Sequence, residues 1–139
     1  MVCVDIANGY LDSLVQSCAQ LRDLLPNIVL MAGNVVTPEG LYELVHKGTV
    51  DVVKVGIGSG AACTTRLKTG VGYPQFSSVT ECAEAAKAYG CHIISDGGAV
   101  YPGDCAKALA ANSSFIMLGS MLAGHLESPG DLIIDEKTG

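Results

Sequence analysis

Apolar positions along this chain follow two alternating rhythms: short β-branched runs and longer stretches at helical spacing. Val2-Cys3-Val4 before Asp5 predicts a strand. Positions 11, 14, 15, 18, 21 and 25 then put leucine, valine and cysteine on one helix face, which Pro26-Asn27 ends. Ile28 to Met31 predicts a second strand, closing on Ala32-Gly33-Asn34. Thr37-Pro38-Glu39 predicts a helix with Thr37 as N-cap and Pro38 in its first turn, running to about His46 and stopped by Gly48. Asp51 to Val55 predicts a third strand, Ser77 to Tyr89 a helix ended by Gly90, and Cys91 to Ser95 a fourth strand closing on Asp96-Gly97-Gly98. Tyr101 to Ala111 predicts a helix opened by Pro102-Gly103-Asp104, and Ser114 to Leu118 a fifth strand closing on Gly119-Ser120. Met121 to Gly124 adds a helical turn, and the polar stretch 128–139 reads as a mobile segment.

These are five βα units at close intervals. Strands that are nearly all apolar fit a parallel sheet buried on both faces. Asp5, Gly33-Asn34, Gly56, Asp96-Gly97-Gly98 and Gly119-Ser120 gather at strand C-termini. That is where a (β/α)8 barrel carries its active face, and where an open doubly wound sheet also binds ligands. Two observations favour the barrel. No Gly-x-Gly-x-x-Gly joins a strand to a helix with an acidic residue downstream. The last two units end in Asp-Gly-Gly and Gly-Ser, matching the phosphate turns that barrels build after their last two strands. A closed barrel of this type takes eight strands. The expected fold is therefore α/β, a (β/α)8 TIM barrel of which residues 1–139 supply about strands 4–8, with 128–139 as the start of a mobile flap. An open edge of buried-type strands would invite aggregation, which is why the chain reads as a piece.

Composition narrows the partners. The net charge of −6 argues against nucleic acid and anionic membranes. It leaves anionic small molecules open, because backbone N–H groups bind phosphate without net positive charge. A charged fraction of 16% is low for a free-standing domain and implies much covered surface. Six cysteines include no Cys-x-x-Cys and match no zinc spacing. No signal peptide and no bilayer-length apolar run is present. Reduced thiols, mostly packing residues, in a cytoplasmic protein are expected.

The chemistry concentrates in Gly56-Ile57-Gly58-Ser59-Gly60-Ala61-Ala62-Cys63-Thr64-Thr65-Arg66, directly after the third strand. Glycines let the backbone turn tightly there, and a cysteine beside threonines and a basic residue can become a thiolate nucleophile. The plainer reading of Cys63 is a buried loop cysteine, and of Thr65 a hydroxyl satisfying loop backbone. Asp96 either caps a turn or accepts ribose hydroxyls while glycine N–H groups meet a phosphate. Gly119-Ser120 is an ordinary turn or an anion site at a helix start. Lys54 lies inside an apolar strand, pointing either into the barrel toward a carboxylate or outward to the helix layer. Arg66 and Lys68 either favour a nearby thiolate or form a solvated pair. His46 and His92 read as surface or packing residues, His125 as a weak candidate near the flap, and Tyr73-Pro74 as the fixed exit of the loop.

The motifs Asp5-Ile6-Ala7-Asn8-Gly9-Tyr10, Met31-Ala32-Gly33-Asn34-Val35-Val36-Thr37 and the Cys63 loop resemble the inosine-monophosphate dehydrogenase and guanosine-monophosphate reductase family. Gly70-Val71-Gly72-Tyr73-Pro74-Gln75, Ile94-Ser95-Asp96-Gly97-Gly98 and Met121-Leu122-Ala123-Gly124-His125 extend the resemblance, in order, over nearly the whole chain. Three of these motifs are similar to the reductase branch.

The resemblance implies NADPH-dependent reductive deamination of GMP to IMP and ammonia through a cysteine thioimidate. Cys63 would be the nucleophile and Thr65 would help the amino group leave. Asp96, Gly97, Gly98, Gly119 and Ser120 would bind the nucleotide, although Ser120 stands where the reductases carry glycine. Asp5, Ile6, Ala7, Ile57 and Gly58 would contact the nicotinamide cofactor. Gly58, Gly60, Cys63 and Arg66 would hold a monovalent cation, K+, through carbonyls. A homotetramer is implied as well. The family's catalytic glutamate is expected beyond residue 139, so residues 1–139 alone are expected not to turn over. The alternatives are an NAD-dependent dehydrogenase that oxidises IMP, and a catalytically silent nucleotide-binding barrel fragment.

Overall fold

The computed structural model describes residues 1–131, so most of the segment expected to begin a flap lies outside the described residues. Five parallel strands form one sheet: β1 (Val2–Asp5), β2 (Leu30–Val35), β3 (Val52–Val55), β4 (His92–Asp96) and β5 (Phe115–Met117). Between them lie α1 (Asp12–Leu24), α2 (Pro38–His46), the short α3 (Thr65–Thr69), α4 (Gln75–Tyr89) and α5 (Pro102–Ala110). A 3-10 turn at Ser120–Leu122 follows β5.

Sheet order is the sequence order, β1-β2-β3-β4-β5. A doubly wound sheet reverses order at a switch point; this one does not, which removes that alternative. The two faces are unequal. Leu30, Ala32, Val35, Val53, Val55 and Ile93 pack with Leu14 and Cys18 of α1, Leu41 and Leu44 of α2, and Val79, Cys82, Ala83 and Ala86 of α4. Each large side chain buried this way contributes about 1.5–3 kcal/mol. The opposite face carries the cross-strand row Asp5, Gly33, Lys54, Ile94 and Phe115. Phe115 at its end is half exposed. Only β3 is buried at every position; β1 and β5 alternate or face outward, as edge strands do.

Local chemistry explains the boundaries. Thr37 caps α2, accepting from the Gly40 N–H at 3.4 Å, and Pro38 fills the first turn, as the sequence predicts. Gly90 ends α4 in the left-handed region at φ 69°. β2 starts two residues later than predicted because the Ile28 N–H bonds the Leu25 carbonyl and holds that stretch in a turn. It then runs on through Gly33-Asn34, across a register shift, to Val35. α4 starts at Gln75 rather than Ser77, as the Ser78 N–H already bonds the Pro74 carbonyl. α3 lies where the sequence predicts no element; the Lys68 N–H bonds the Thr64 carbonyl and Gly70 closes the turn at φ 73°.

At the N-terminal ends of the strands, Arg22 donates to the carbonyls of Ile28 and Thr49 and pairs with Asp51 at 2.6 Å. Asp51 also accepts from the Leu30 N–H, so one ion pair ties α1 to the starts of β2 and β3. The polar chemistry at the opposite, C-terminal end is of a different kind.

Candidate active site

β3 delivers the site. The chain leaves it at Gly56 and turns through the 57–64 loop, which the Cys63 N–H closes onto the Gly60 carbonyl at 3.0 Å. Two cavities meet at the Cys63 thiol. One, of about 320 Å³, is lined by Asp5, Ile6, Ala7, Asn34, Ile57 and Cys63 among others. The second, of about 410 Å³, includes Cys63, Asp96, Gly97, Gly98, Gly119 and Ser120 in its walls. The residues expected to contact cofactor and those expected to bind nucleotide thus line different cavities, with Cys63 in the wall of both. Cys63 is half-buried, so the plainer reading of a buried packing cysteine fails. Among the other cysteines Cys18 and Cys82 are buried in the core and half-buried Cys91 packs against it, as expected of packing residues, while Cys105 is half-buried and Cys3 exposed.

The thiol is tuned by its own loop. The Thr65 hydroxyl, then the Thr65 main chain, hold the Cys63 pKa below the ordinary thiol value, and the backbone at Gly58 and Gly60 adds to the effect. Of the two readings left open for Arg66, the contacts favour the one that does not involve the thiol. Arg66 lies across Gly72 and donates to the Tyr73 carbonyl at 3.2 Å. Burial has the reverse effect elsewhere: it raises Cys18 and Cys91 and pushes Cys82 up to about 12. Thr65→Val removes the strongest hydroxyl donor, so the pH midpoint of Cys63 alkylation should move upward. Site-resolved mass spectrometry of iodoacetamide labelling across a pH series checks this; an unmoved midpoint contradicts it.

Lys54 points away from the helices, settling the choice left open above. Its ammonium lies 2.8 Å from Asp5 Oδ1 and 3.1 Å from Asp96 Oδ2, and its side chain is 3% exposed. Gly33 faces it across β2–β3; a Cβ there would meet Lys54 Cβ at 2.7 Å, so glycine is required for the close approach. Burial works to lower the lysine pKa, but hydrogen bonds to Asp5 and Asp96 outweigh it and the net shift is upward, so Lys54 is charged. Asn34 donates to the Gly56 carbonyl at 2.7 Å and to Asp96 Oδ2 at 2.9 Å. Its own Oδ1 is buried without a partner.

A second polar bracket fixes the loop. Ser59 donates to Gln75 Oε1 at 2.8 Å and to the Asp96 carbonyl at 3.3 Å. Gln75 donates to the Val55 carbonyl and to Ser95 Oγ. Gly97 and Gly98 adopt φ of 102° and 78° in the turn after β4, which lines the cavity of about 410 Å³. Gly119-Ser120 opens a three-residue 3-10 turn rather than an α-helix, so only individual N–H groups, not a macrodipole, are offered there.

The remaining assignments sort simply. The carbonyls of Gly60 and Arg66 each accept one backbone N–H and keep a second lone pair. Among the described residues no group of three His, Cys, Asp or Glu side chains could hold a metal. His46 stacks on Tyr42, and His92 packs on Phe115 and contacts Ser114, both packing roles. His125 contacts the Leu122 carbonyl. Tyr73 does fix the loop exit, through its N–H on the Ile57 carbonyl and its hydroxyl on Glu81.

The model of the IMP dehydrogenase / GMP reductase domain matches residues 1–138. The chain belongs to this family. It is 56% identical over 132 residues to the GMP reductase of Klebsiella pneumoniae and 57% identical over 132 residues to GMP reductase 2 of Bos taurus, in each case 95% of this chain and 38% of the relative. The GMP reductase of Vibrio cholerae is 53% identical over 135 residues, 97% of this chain and 39% of the relative. This family member therefore spans less than half the length of the curated relatives it matches. Sequence reading had not given this member's Asn34, Ser59 and Gln75 a role. The available signal was a polar residue at each strand or helix end that borders the Cys63 loop.

Proposed function

We propose that this chain is part of the catalytic barrel of a GMP reductase: an NADPH-dependent oxidoreductase converting GMP to IMP and ammonia in purine nucleotide interconversion. The observation that carries the reading is the position of Cys63 on the shared wall of two cavities. One holds the Asp96-Gly97-Gly98 and Gly119-Ser120 turns, the other Asp5, Ile6, Ala7, Ile57 and Gly58. A helix layer on one sheet face and an unreversed strand order support strands 4–8 of a (β/α)8 barrel, the uncovered face becoming its interior. On this reading the protein is cytoplasmic and homotetrameric; no helix among the described residues is long and apolar enough to cross a membrane.

The chemistry follows from the thiol. Cys63 Sγ as thiolate adds to purine C2, forming a C–S bond. The Thr65 hydroxyl, adjacent to the sulfur, assists transfer of a proton to the amino group, and the C–N bond breaks to release ammonia, leaving a thioimidate on Cys63. NADPH, when bound, supplies the hydride that C2 accepts. The C–S bond then breaks, the electron pair returns to sulfur, and IMP leaves. One GMP, one NADPH and two protons give IMP, NADP+ and ammonium. Splitting the displacement over a covalent intermediate replaces one difficult step by two easier ones. Asp5, Ile6, Ala7, Asn34, Ile57 and Gly58 would hold the nicotinamide end of the cofactor, and the buried, unpartnered Asn34 Oδ1 is an acceptor suited to an N–H-bearing ligand. The carbonyls of Gly58, Gly60, Cys63 and Arg66 would hold K+ and stiffen the loop. Five strands leave the barrel open, so residues 1–139 alone should bind without turning over.

The test is a chimera in which these residues replace the matching segment of the Klebsiella pneumoniae enzyme. GMP with NADPH should oxidise the cofactor, and IMP with NAD should not reduce it. The reverse outcome assigns the dehydrogenase, and no reaction with either couple assigns a silent segment.

A further inference from the structure

We propose that Lys54 is a positioning residue that fixes the Asp96 carboxylate for the nucleotide's ribose and, through Asp5, couples the two cavities beside Cys63. The inference rests on the nucleotide reading above and goes beyond it. Lys54 sits on β3, the central strand, with Asp5 ending β1 and Asp96 ending β4. Its side chain reaches Asp5 past the bare backbone of Gly33, and reaches Asp96 one pleat beyond its partner Ile94.

The contacts on Asp96 are one-sided. Lys54 at 3.1 Å and Asn34 at 2.9 Å both meet Oδ2. Oδ1 is left to accept from a ligand, and a carboxylate anchored through one oxygen presents the other in a fixed direction. Asp96 is a wall of the nucleotide-side cavity and Asp5 of the cofactor-side cavity. One ammonium between two carboxylates leaves the cluster a single negative charge. In a low-dielectric site, donors that arrive at one carboxylate weaken its claim on Lys54 and strengthen the other's. Burial of Lys54 makes this sharing effective, since its side chain is 3% exposed and solvent cannot stand in for a lost partner. The arrangement is more than a structural ion pair. A purely structural lysine needs one carboxylate, whereas this one spans two that face different cavities.

Calorimetry on the full 139-residue chain tests it with two probes, GMP and its 2′,3′-dideoxy analogue. The unmodified protein should prefer GMP at least about tenfold, the value of hydroxyls bonded to a charged acceptor. Lys54→Met should bring that preference close to unity while binding of the dideoxy analogue changes little. Asp5→Asn leaves the ammonium no second carboxylate to move toward when hydroxyls arrive at Asp96, so it should lower the preference about threefold. Lys54→Arg keeps the charge and should retain most of it, which preserves the test should Lys54→Met fail to fold. A folded Lys54→Met chain with undiminished preference for GMP overturns the proposal, as does an Asp5→Asn chain with a raised one. GMP bound by no variant, the unmodified chain included, overturns the nucleotide reading itself.

Discussion

Cys63→Ala should abolish GMP turnover in the active chimera and leave GMP binding nearly intact. The argument is geometric before it is chemical. Among the described residues, Cys63 is the cysteine on the wall shared by the two cavities, and its loop lowers the thiol toward the thiolate form. On the proposed covalent route, removing the sulfur removes the bond to C2 on which both release of ammonia and acceptance of hydride depend. Loss of a covalent nucleophile costs on the order of 10⁴-fold or more in turnover. Nucleotide affinity should stay within about threefold, because Asp96, Gly97, Gly98, Gly119 and Ser120 are untouched and only a small half-buried group is lost. Cys63→Ser should fare little better, since a hydroxyl with an ordinary high pKa is a poor substitute for a thiolate. Stopped-flow absorbance at the NADPH band, with equilibrium dialysis of GMP in parallel, reads both quantities. Residual turnover of even a few per cent would eliminate the covalent route; loss of binding along with turnover would reduce Cys63 to a loop-packing residue.

Much of this site was legible because its determinants are local. Gly97-Gly98 after an apolar strand, Thr37-Pro38 before a helical period and Gly90 after one act through nearest neighbours, and those assignments hold in the structure. Cys63 was legible for the same reason, since glycines and threonines around a cysteine are a local pattern. Its electrostatics were legible only in part, through the neighbouring threonines. The sequence places Arg66 three residues from the thiol, but α3 turns that side chain toward the Tyr73 carbonyl, and the neighbour that acts is the Thr65 hydroxyl. Lys54 shows the complementary limit. Alternation along β3 left two faces open, and the choice depends on Asp5 and Asp96, carried by strands 49 and 42 residues away in sequence. Gln75 and Ser59 escaped notice because each satisfies backbone groups on other elements, a role that pattern does not encode. The single-sided helix layer likewise follows from strand order, which composition and periodicity leave undetermined.

Gly97→Ala should disable the site from the side opposite the sulfur, and its effect follows from atoms already placed. Gly97 sits at φ 102°, a region L side chains rarely occupy. A Cβ there would also collide with Ser59 Oγ and meet the Gly60 nitrogen at 2.9 Å. The hydroxyl could rotate away, but it would then abandon Gln75 and the Asp96 carbonyl. The Gly60 contact is to backbone, and relieving it displaces the turn that the Cys63 N–H closes on the Gly60 carbonyl. Strain and clash together should cost about 2–4 kcal/mol of stability. GMP affinity should fall at least about tenfold, since the same peptide borders Asp96 and the loop of the nucleophile. Gly103→Ala is the matched control. Gly103 lies in the first turn of α5 with open space around its would-be Cβ, so alanine should stabilise the chain by up to about 1 kcal/mol. Thermal melts of the two variants against the unmodified protein should therefore move in opposite directions. Equal melting points would mean that the Asp96–Gly97 turn and the Cys63 loop yield independently, and the close coupling drawn between nucleotide turn and nucleophile would have to be abandoned.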